Sequence, residues 1–542
     1  MKREVTMGTR GNRAGVLAAF TVSGASALVY EVVWTRTISL VLGSTVYAIS
    51  TMLATFMAGL AIGSFFGGRL SDRRRDHLFL FAVCELSIGV CGMVSVPLIN
   101  LMPELYLPLY RTFHLQPELF FFLQACLCAM VMLIPTVVMG ATFPIVSSYV
   151  TLDAERIGSG VGSAYFVNTL GAVAGSLLSG FVLIPIVGVK GTTLTAALLN
   201  LLAGVVLLLM ARKRTHGVMA FVPAFLFGGI LLAKAEPHAS ILSFYSASRY
   251  AADAEPYREI AASDKVRYTE LYRSENAEGL VRAFRYIDGS LVLQVGGKIE
   301  GTSKDDLANT VLLAYLPLAS HPAPRSFLTI GLGAGVTLGA ARDHLKDVDL
   351  VEINPGVLEA IRRHGTPGLL ENLAVIRDDA RNYLLVSDKR YDIISSEPSY
   401  PTESAVASLF TRDFYEIAAR RLNEGGIYCQ WIPYYVLTNE DVTMMVKTFA
   451  SVFPHTRIWK VTNSLDLIMI GSRSQSQITE KEIRERVERL NTHGYPLSFV
   501  LSRTPEQVRE IASDDTVPVN TDDHPLLEYA VIGNMLRGRV DR

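Results

Sequence analysis

Between Ser326 and Pro401 the chain repeats one pattern: an apolar run of strand length, then a turn that carries glycine or acid. The first, S-F-L-T-I-G-L-G-A-G, brings Gly331, Gly333 and Gly335 into its turn. The second, V-D-L-V-E-I-N, ends in Glu352. The third ends in R-D-D-A, with Asp378 and Asp379, and the fourth, Y-D-I-I-S-S-E-P, in Glu397. Strand–helix alternation of this kind builds a parallel sheet with helices on both faces. Such a sheet holds ligands at the carboxyl ends of its strands. The C-terminal half is therefore expected to be an α/β, Rossmann-like domain with a nucleoside site at that edge.

The N-terminal part is of a different kind. Of 542 residues 50% are hydrophobic, and the excess lies before residue 235. Apolar runs near 14–34, 46–67, 78–99, 118–141, 160–185, 190–210 and 217–233 are long enough to cross a bilayer. The last is the shortest and contains Pro223. Lys2, Arg3, Arg10 and Arg13 precede the first run, which reads as an uncleaved helix because further spans follow. The expectation is an all-α transmembrane bundle of six or seven helices over 1–235, with the lipid bilayer as partner. Gly59, Gly63 and Gly67, then Gly171 and Gly175, recur at four-residue spacing, a stripe that lets helices approach closely in lipid. Glu31 and Glu85 lie within apolar sequence, where a carboxylate is costly and hence a candidate for function. G-R-L-S-D-R-R-R at 68–75 resembles a loop of major-facilitator transporters, but six or seven spans are roughly half of such a carrier.

Composition narrows the partners. Net charge is −1 and no long basic tract occurs, so no nucleic acid partner is expected. The five cysteines, Cys84, Cys91, Cys126, Cys128 and Cys429, have no zinc-ligand spacing near histidines, so no metal is expected.

From about 240 charged and apolar residues mix. V-R-Y-T-E-L-Y, A-F-R-Y-I-D-G and S-L-V-L-Q-V-G-G read as short strands of a small β-subdomain over 240–320, in front of the nucleoside-binding domain over 321–542. In that domain the glycines form G-x-G-x-G. The dinucleotide fingerprint is G-x-G-x-x-G, and the earlier third glycine leans toward an adenosyl-sulfonium cofactor over NAD. Glu352 lies where a carboxylate accepts both ribose hydroxyls, and Asp379 where an acceptor takes the adenine amino group. Glu397, before Pro398 at the crevice edge, suits a proton acceptor or a carboxylate that stabilises a cation.

These residues resemble the polyamine aminopropyltransferases (spermidine and spermine synthases), and most of all a membrane-fused bacterial branch. The resemblance covers about 255–472. It rests on E-P-Y-R-E-I at 255–260, G-G-K-I-E-G-T-S-K-D-D at 296–306, L-P-L-A-S-H-P-A-P-R before the glycine turn, and S-S-E-P-S-Y-P-T-E-S-A-V-A-S-L-F at 395–410. The tail motif N-T-D-D-H-P-L-L-E-Y resembles the membrane branch alone. The resemblance implies a class I methyltransferase-type fold and transfer of an aminopropyl group from decarboxylated S-adenosylmethionine to an amine, with release of methylthioadenosine. It implies cofactor contacts at Gly331, Gly333, Gly335, Glu352 and Asp379. It implies catalytic roles for Glu397 and Asp305, and substrate contacts at Tyr257, Arg258, Glu300 and Tyr400. A homo-oligomer is left open.

The chain departs from the family on the acceptor side. Tyr400 replaces the second aspartate of T-D-x-x-D-P, Asn309, Thr310 and Val311 replace Y-H-E, and Arg258 replaces a glutamine. A dication needs carboxylates at both ends. A guanidinium suits a carboxylate instead, which intact S-adenosylmethionine has and the decarboxylated form lacks. A lyase or cyclase acting on S-adenosylmethionine is therefore the alternative, with a non-catalytic nucleoside sensor or carrier as a third reading. The location expected is a plasma (inner) membrane, multi-pass. Basic clusters at the N-terminus, Arg69–Arg75 and Arg212–Arg214 put the soluble half outside if a seventh segment crosses. Supply of a cytoplasmic cofactor puts it inside.

Overall fold

The computed structural model describes residues 2–530 apart from 43–45, 75, 114–116, 152–156, 212–220, 235–267, 277, 297, 402–403, 435–436, 463 and 476–477. The chain divides into two compact units, 1–252 and 253–542.

Among the described residues the N-terminal unit is helical, and five helices there are long and apolar enough to cross a membrane: Arg13–Ser39, Ala48–Arg73, His77–Met102, Ala125–Val150 and Ile157–Met210. The fifth holds both the fifth and sixth expected spans. At 1.5 Å per residue its 54 residues would run about 80 Å, far beyond a hydrocarbon core of about 30 Å. It breaks at Gly188, whose φ of 69° and ψ of 177° are not helical, just after a π-helical turn at Ser179–Leu183. The two halves also run in opposite directions along the first helix. Gly171 and Gly175 meet the carbonyls of Thr21 and Ala25 in parallel order, while Gly15 meets Met210 and Tyr30 bonds to Asn200 in antiparallel order. Two oppositely directed helical halves, each long enough to cross a bilayer, therefore join at Gly188. The seventh expected segment is a 14-residue helix, Phe221–Lys234, shorter than a bilayer span.

The small-residue stripes are packing surfaces. A Cβ on Gly59, Gly63 or Gly67 would fall within 1.8–2.6 Å of Thr136, Val137 or Ala141, so these glycines set the approach of two helices. Outside, large apolar side chains such as Phe66, Ile134, Phe166, Phe181 and Ile186 are exposed, as on a surface meant for lipid rather than water. Glu31 takes a hydrogen bond from Thr35, one turn along its own helix.

The C-terminal unit opens with four antiparallel strands: β1 (Tyr268–Asn276), β2 (Gly279–Tyr286), β3 (Leu291–Val295) and β4 (Lys298–Thr302). Three were expected. The fourth is the K-I-E-G-T part of the 296–306 motif, turned back on β3 at Gly296, where φ is 57°. An eight-stranded sheet follows, with strands β5 (Ser326–Ile330), β6 (Asp347–Val351), β7 (Ala374–Ile376), β8 (Tyr391–Ser396), β9 (Leu422–Pro433), β10 (His455–Val461), β11 (Asp466–Ser472) and β12 (Phe499–Arg503). Their spatial order is β12-β10-β11-β9-β8-β5-β6-β7.

Strands β5 to β9 are parallel, as helix crossovers require. The other side departs from an all-parallel sheet. β10 and β11 join directly with no helix between them, so β9, β11, β10 and β12 pair antiparallel. β5 lies between β6 and β8, so the chain winds away from it in both directions. The crevice between the ends of β5 and β8 is the switch point at which such sheets bind ligands.

The core on one sheet face forms around the Leu307–Ser320 helix, whose residues 309–320 are all buried. Phe410, Phe414, Tyr415, Tyr428, Phe449 and Phe453 fill the other face. The tail motif is a clamp: Asn520 donates to Phe410 O at 3.0 Å and accepts from Leu527 N, while Asp522 pairs with Arg381 and accepts from Thr411 at 2.8 Å.

Candidate functional site

The turn after β5 depends on its glycines. Gly331, Gly333 and Gly335 have φ of 86°, 50° and 84°, a region L side chains avoid. A Cβ at Gly331 would lie 2.8 Å from the carbonyl oxygen of Glu397, and one at Gly333 3.3 Å from that of Glu300. Bare backbone thus lies against the ends of β8 and β4. Gly301 of β4 approaches the turn from its own side, with an added Cβ 2.8 Å from Ala334 N.

Glu352 stands one residue past β6 and is 8% exposed. Its Oε2 accepts from Leu332 N at 3.0 Å and its Oε1 from Asn354 N at 2.8 Å. The acid therefore ties the glycine turn to the end of β6. Burial pushes its pKa up, and the two amide bonds work against that.

Asp379 is exposed and caps the Ala380–Val386 helix, its Oδ1 accepting from Asn382 N at 2.9 Å. Asp378 holds the Asn382 side chain at 2.9 Å and 3.0 Å. No hydrogen bond or ion pair joins Asp379 to Glu352 or Glu397 among the described residues.

Glu397 follows β8, its amide donating to Ile330 O at 3.0 Å. Burial chiefly drives its pKa up to about 8; the facing acids Asp306, Asp466 and Glu300 add to this, and a hydrogen bond from Thr337 opposes it. The Thr337 hydroxyl lies 2.8 Å from Glu397 Oε2 and 2.8 Å from Thr310 O.

The charge of Glu300 on β4 acts on both Glu352 and Glu397 and raises the pKa of each. Ser399 donates to its Oε1 at 2.9 Å, and Lys298 lies 3.7 Å away. The Lys298 ammonium donates to Ser399 Oγ at 3.0 Å and sits 5.1 Å from the centre of the Tyr400 ring. Tyr400 in turn packs on Trp431 at 6.2 Å. Asp305 is exposed; its neighbour Asp306 is the one that faces Glu397, and it is fixed by reciprocal bonds with Thr302. Tyr257 and Arg258 lie outside the described residues.

Sequence reasoning missed Asp306, Thr337, Lys298 and Asp466. Asp466 is 6% exposed at the start of β11 and accepts from Trp431 Nε1 at 3.0 Å. The double acid of K-D-D and a hydroxyl two residues past Gly335 were visible signals. Nothing in S-L-D-L-I marked Asp466.

The spermine/spermidine synthase domain family matches residues 307–478, the stretch from the buried helix through β11. The C-terminal unit carries a spermine/spermidine synthase domain. Curated relatives agree with this. The chain is 28% identical over 215 residues to a polyamine aminopropyltransferase of Bacillus cereus, covering 38% of this chain and 77% of that protein. It is 26% identical over 434 residues to a polyamine aminopropyltransferase of Corynebacterium efficiens, covering 76% of this chain and 75% of the relative. Among solved structures, the spermidine synthase of Thermotoga maritima matches at 22% identity and a TM-score of 0.35, over 45% of this chain and 84% of that one.

Proposed function

We propose that the spermidine-synthase-like domain consumes an adenosylated sulfonium and releases methylthioadenosine, by default through aminopropyl transfer from decarboxylated S-adenosylmethionine to an amine. The observation that carries this reading is a buried Glu397 whose backbone lies against the glycine turn, with that turn tied to Glu352 and the charges of Asp306, Asp466 and Glu300 acting on the Glu397 carboxyl. A nucleoside fits against bare backbone at Gly331 and Gly333, where any Cβ would intrude. The acids beyond it suit a cation. The sulfonium supplies a carbon with a neutral thioether as leaving group. Glu397 then serves as proton acceptor for the amine, which must be neutral to attack. Asp306 and Asp466 hold the amine's charge until that proton moves. The N-terminal unit is read as a bilayer-embedded bundle that anchors this domain.

Lys298 favours a second reading. An ammonium beside Ser399 and Tyr400 suits the carboxylate of intact S-adenosylmethionine, so a lyase or cyclase acting without an amine is the alternative. One experiment separates the two. Purified full-length protein is incubated with each sulfonium form, with and without a diamine, and methylthioadenosine is measured by mass spectrometry. Amine-dependent release from the decarboxylated form supports transfer. Amine-independent release from the intact form supports the lyase. Release from neither form refutes both.

A further inference from the structure

Glu85 is the one fully buried charged residue among the described residues of the N-terminal unit. Its Oε1 lies 2.5 Å from Ser23 Oγ, and its Oε2 accepts from Asn200 Nδ2 at 2.7 Å. Asn200 is itself fully committed. Its second N–H goes to Ser26 Oγ at 2.9 Å, and its Oδ1 accepts from Tyr30 OH at 3.2 Å. Ser23, Ser26 and Tyr30 form one stripe of the Lys2–Leu42 helix, Glu85 belongs to His77–Phe113 and Asn200 to Ile184–Met210. Three helices therefore meet on a single carboxyl group.

No lysine, arginine or histidine pairs with Glu85 among the described residues, and both of its partners are neutral. The other ionisable groups that face the cluster are Tyr30 from the first helix and Cys84 and Cys91 from Glu85's own helix. The Ile184–Met210 helix brings Asn200 and no ionisable group, and the Pro117–Val150 and Phe221–Lys234 helices bring none among the described residues. An uncompensated charge in such surroundings is costly, and carboxyl groups of this kind inside membrane bundles mark ion or proton paths. A metal ion would meet the N–H side of Asn200 rather than its oxygen. A proton needs no extra room. It can sit on Oε1 and point to Ser23 Oγ, and when it leaves, the Ser23 hydroxyl can turn and donate instead. The cluster accommodates both states by the turn of one hydroxyl.

We propose that Glu85 is a proton-binding site of the membrane-embedded unit, loaded and released with the turn of the Ser23 hydroxyl while the three helices that meet there stay tied. The inference is independent of the chemistry assigned to the C-terminal domain. The test uses the full chain in detergent. Infrared difference spectra between low and high pH should show a protonated carboxyl C=O band that disappears as pH rises and is missing from Glu85→Gln, which keeps the side-chain shape. Dicyclohexylcarbodiimide, an apolar reagent for protonated carboxyls, should modify the peptide containing Glu85, with labelling falling at least several-fold over the same pH range. A wild-type difference spectrum identical to that of Glu85→Gln overturns the proposal. So does a carboxyl band that persists unchanged from acid to alkaline pH, since a permanently protonated group would be structural only.

Discussion

Thr337 stands midway between a carbonyl and a carboxyl: its single hydroxyl is 2.8 Å from Thr310 O and 2.8 Å from Glu397 Oε2. One proton cannot serve both. With Glu397 protonated, the acid donates to Thr337 and Thr337 donates to Thr310. With Glu397 ionised, the hydroxyl must turn to it and away from the Thr310 carbonyl, which keeps only its place in the helix ladder. Thr337 thus links the end of the buried helix to the proposed proton acceptor.

Thr337→Val should remove the one hydrogen bond that favours ionised Glu397. The rise of kcat/KM with pH, expected near 8 for the free protein, should move upward, and activity at neutral pH should fall by about threefold to tenfold for a bond worth about 0.5–1.5 kcal/mol. Thr337→Ser should restore both. The check is methylthioadenosine release across pH, and an unmoved midpoint in the valine variant removes Thr337 from the site.

Glu397 also makes stability depend on pH. Its folded pKa of about 8 exceeds the ordinary 4.5, so between these values the folded protein holds a proton that the unfolded chain has lost. Its stabilising contribution is full below about 4.5 and declines as pH rises toward 8. Glu397→Gln keeps the shape without the ionisation. The C-terminal unit of the variant should be more stable than wild type at pH 8 by on the order of a few kcal/mol, the gap closing toward pH 5, while turnover drops about a hundredfold or more. Denaturation at the two pH values, with product detection, tests both halves of this statement.

Much of the site was legible because it follows sheet logic. Strand ends at Ile330, Val351 and Ser396 fix where Gly331, Glu352 and Glu397 must stand, and apolar runs bounded by turns mark those ends. What was not legible came from outside that logic. β4 was hidden inside a glycine-rich motif that reads as a loop until its pairing with β3 is known. Asp305 and Asp306 are adjacent, and only the start of the Leu307–Ser320 helix decides which of them faces inward. Asp466 arrives from an antiparallel strand beyond the doubly wound part, so its sequence distance from Glu397 gave no hint. In the helical unit hydropathy found the first six apolar runs as helix, while the seventh is shorter than a span, and the break at Gly188 depends on backbone geometry that composition does not report.

Glu352 has two employments, which changes how it must be tested. Alanine there would strand the amides of Leu332 and Asn354 and damage the turn itself. Glu352→Gln keeps an acceptor for one of them. It should weaken methylthioadenosine binding by about tenfold, the order expected for leaving a ribose hydroxyl poorly paired at about 1–3 kcal/mol. Calorimetry on folded variant protein is the measurement; equal affinity would take Glu352 out of the nucleoside site.

Gly331 and Gly425 form a natural pair of probes. Both have positive φ, 86° and 74°. An added Cβ at Gly425 would meet nothing within 4 Å, whereas at Gly331 it would lie 2.8 Å from the Glu397 carbonyl oxygen. Alanine at either position bears the left-handed cost of about 1–2 kcal/mol. At Gly331 the backbone at the end of β8 must also move, carrying Glu397 with it and reshaping the turn proposed to hold the nucleoside. Gly425→Ala should therefore lose stability alone, with methylthioadenosine affinity and turnover near wild type. Gly331→Ala should lose more stability and, in the fraction that remains folded, at least tenfold in affinity. The comparison rests on affinity per folded molecule, measured by calorimetry after the folded fraction is fixed by thermal denaturation. Equal affinities in the two variants would mean that the turn after β5 does not contact the nucleoside, and the proposed binding mode would fall with it.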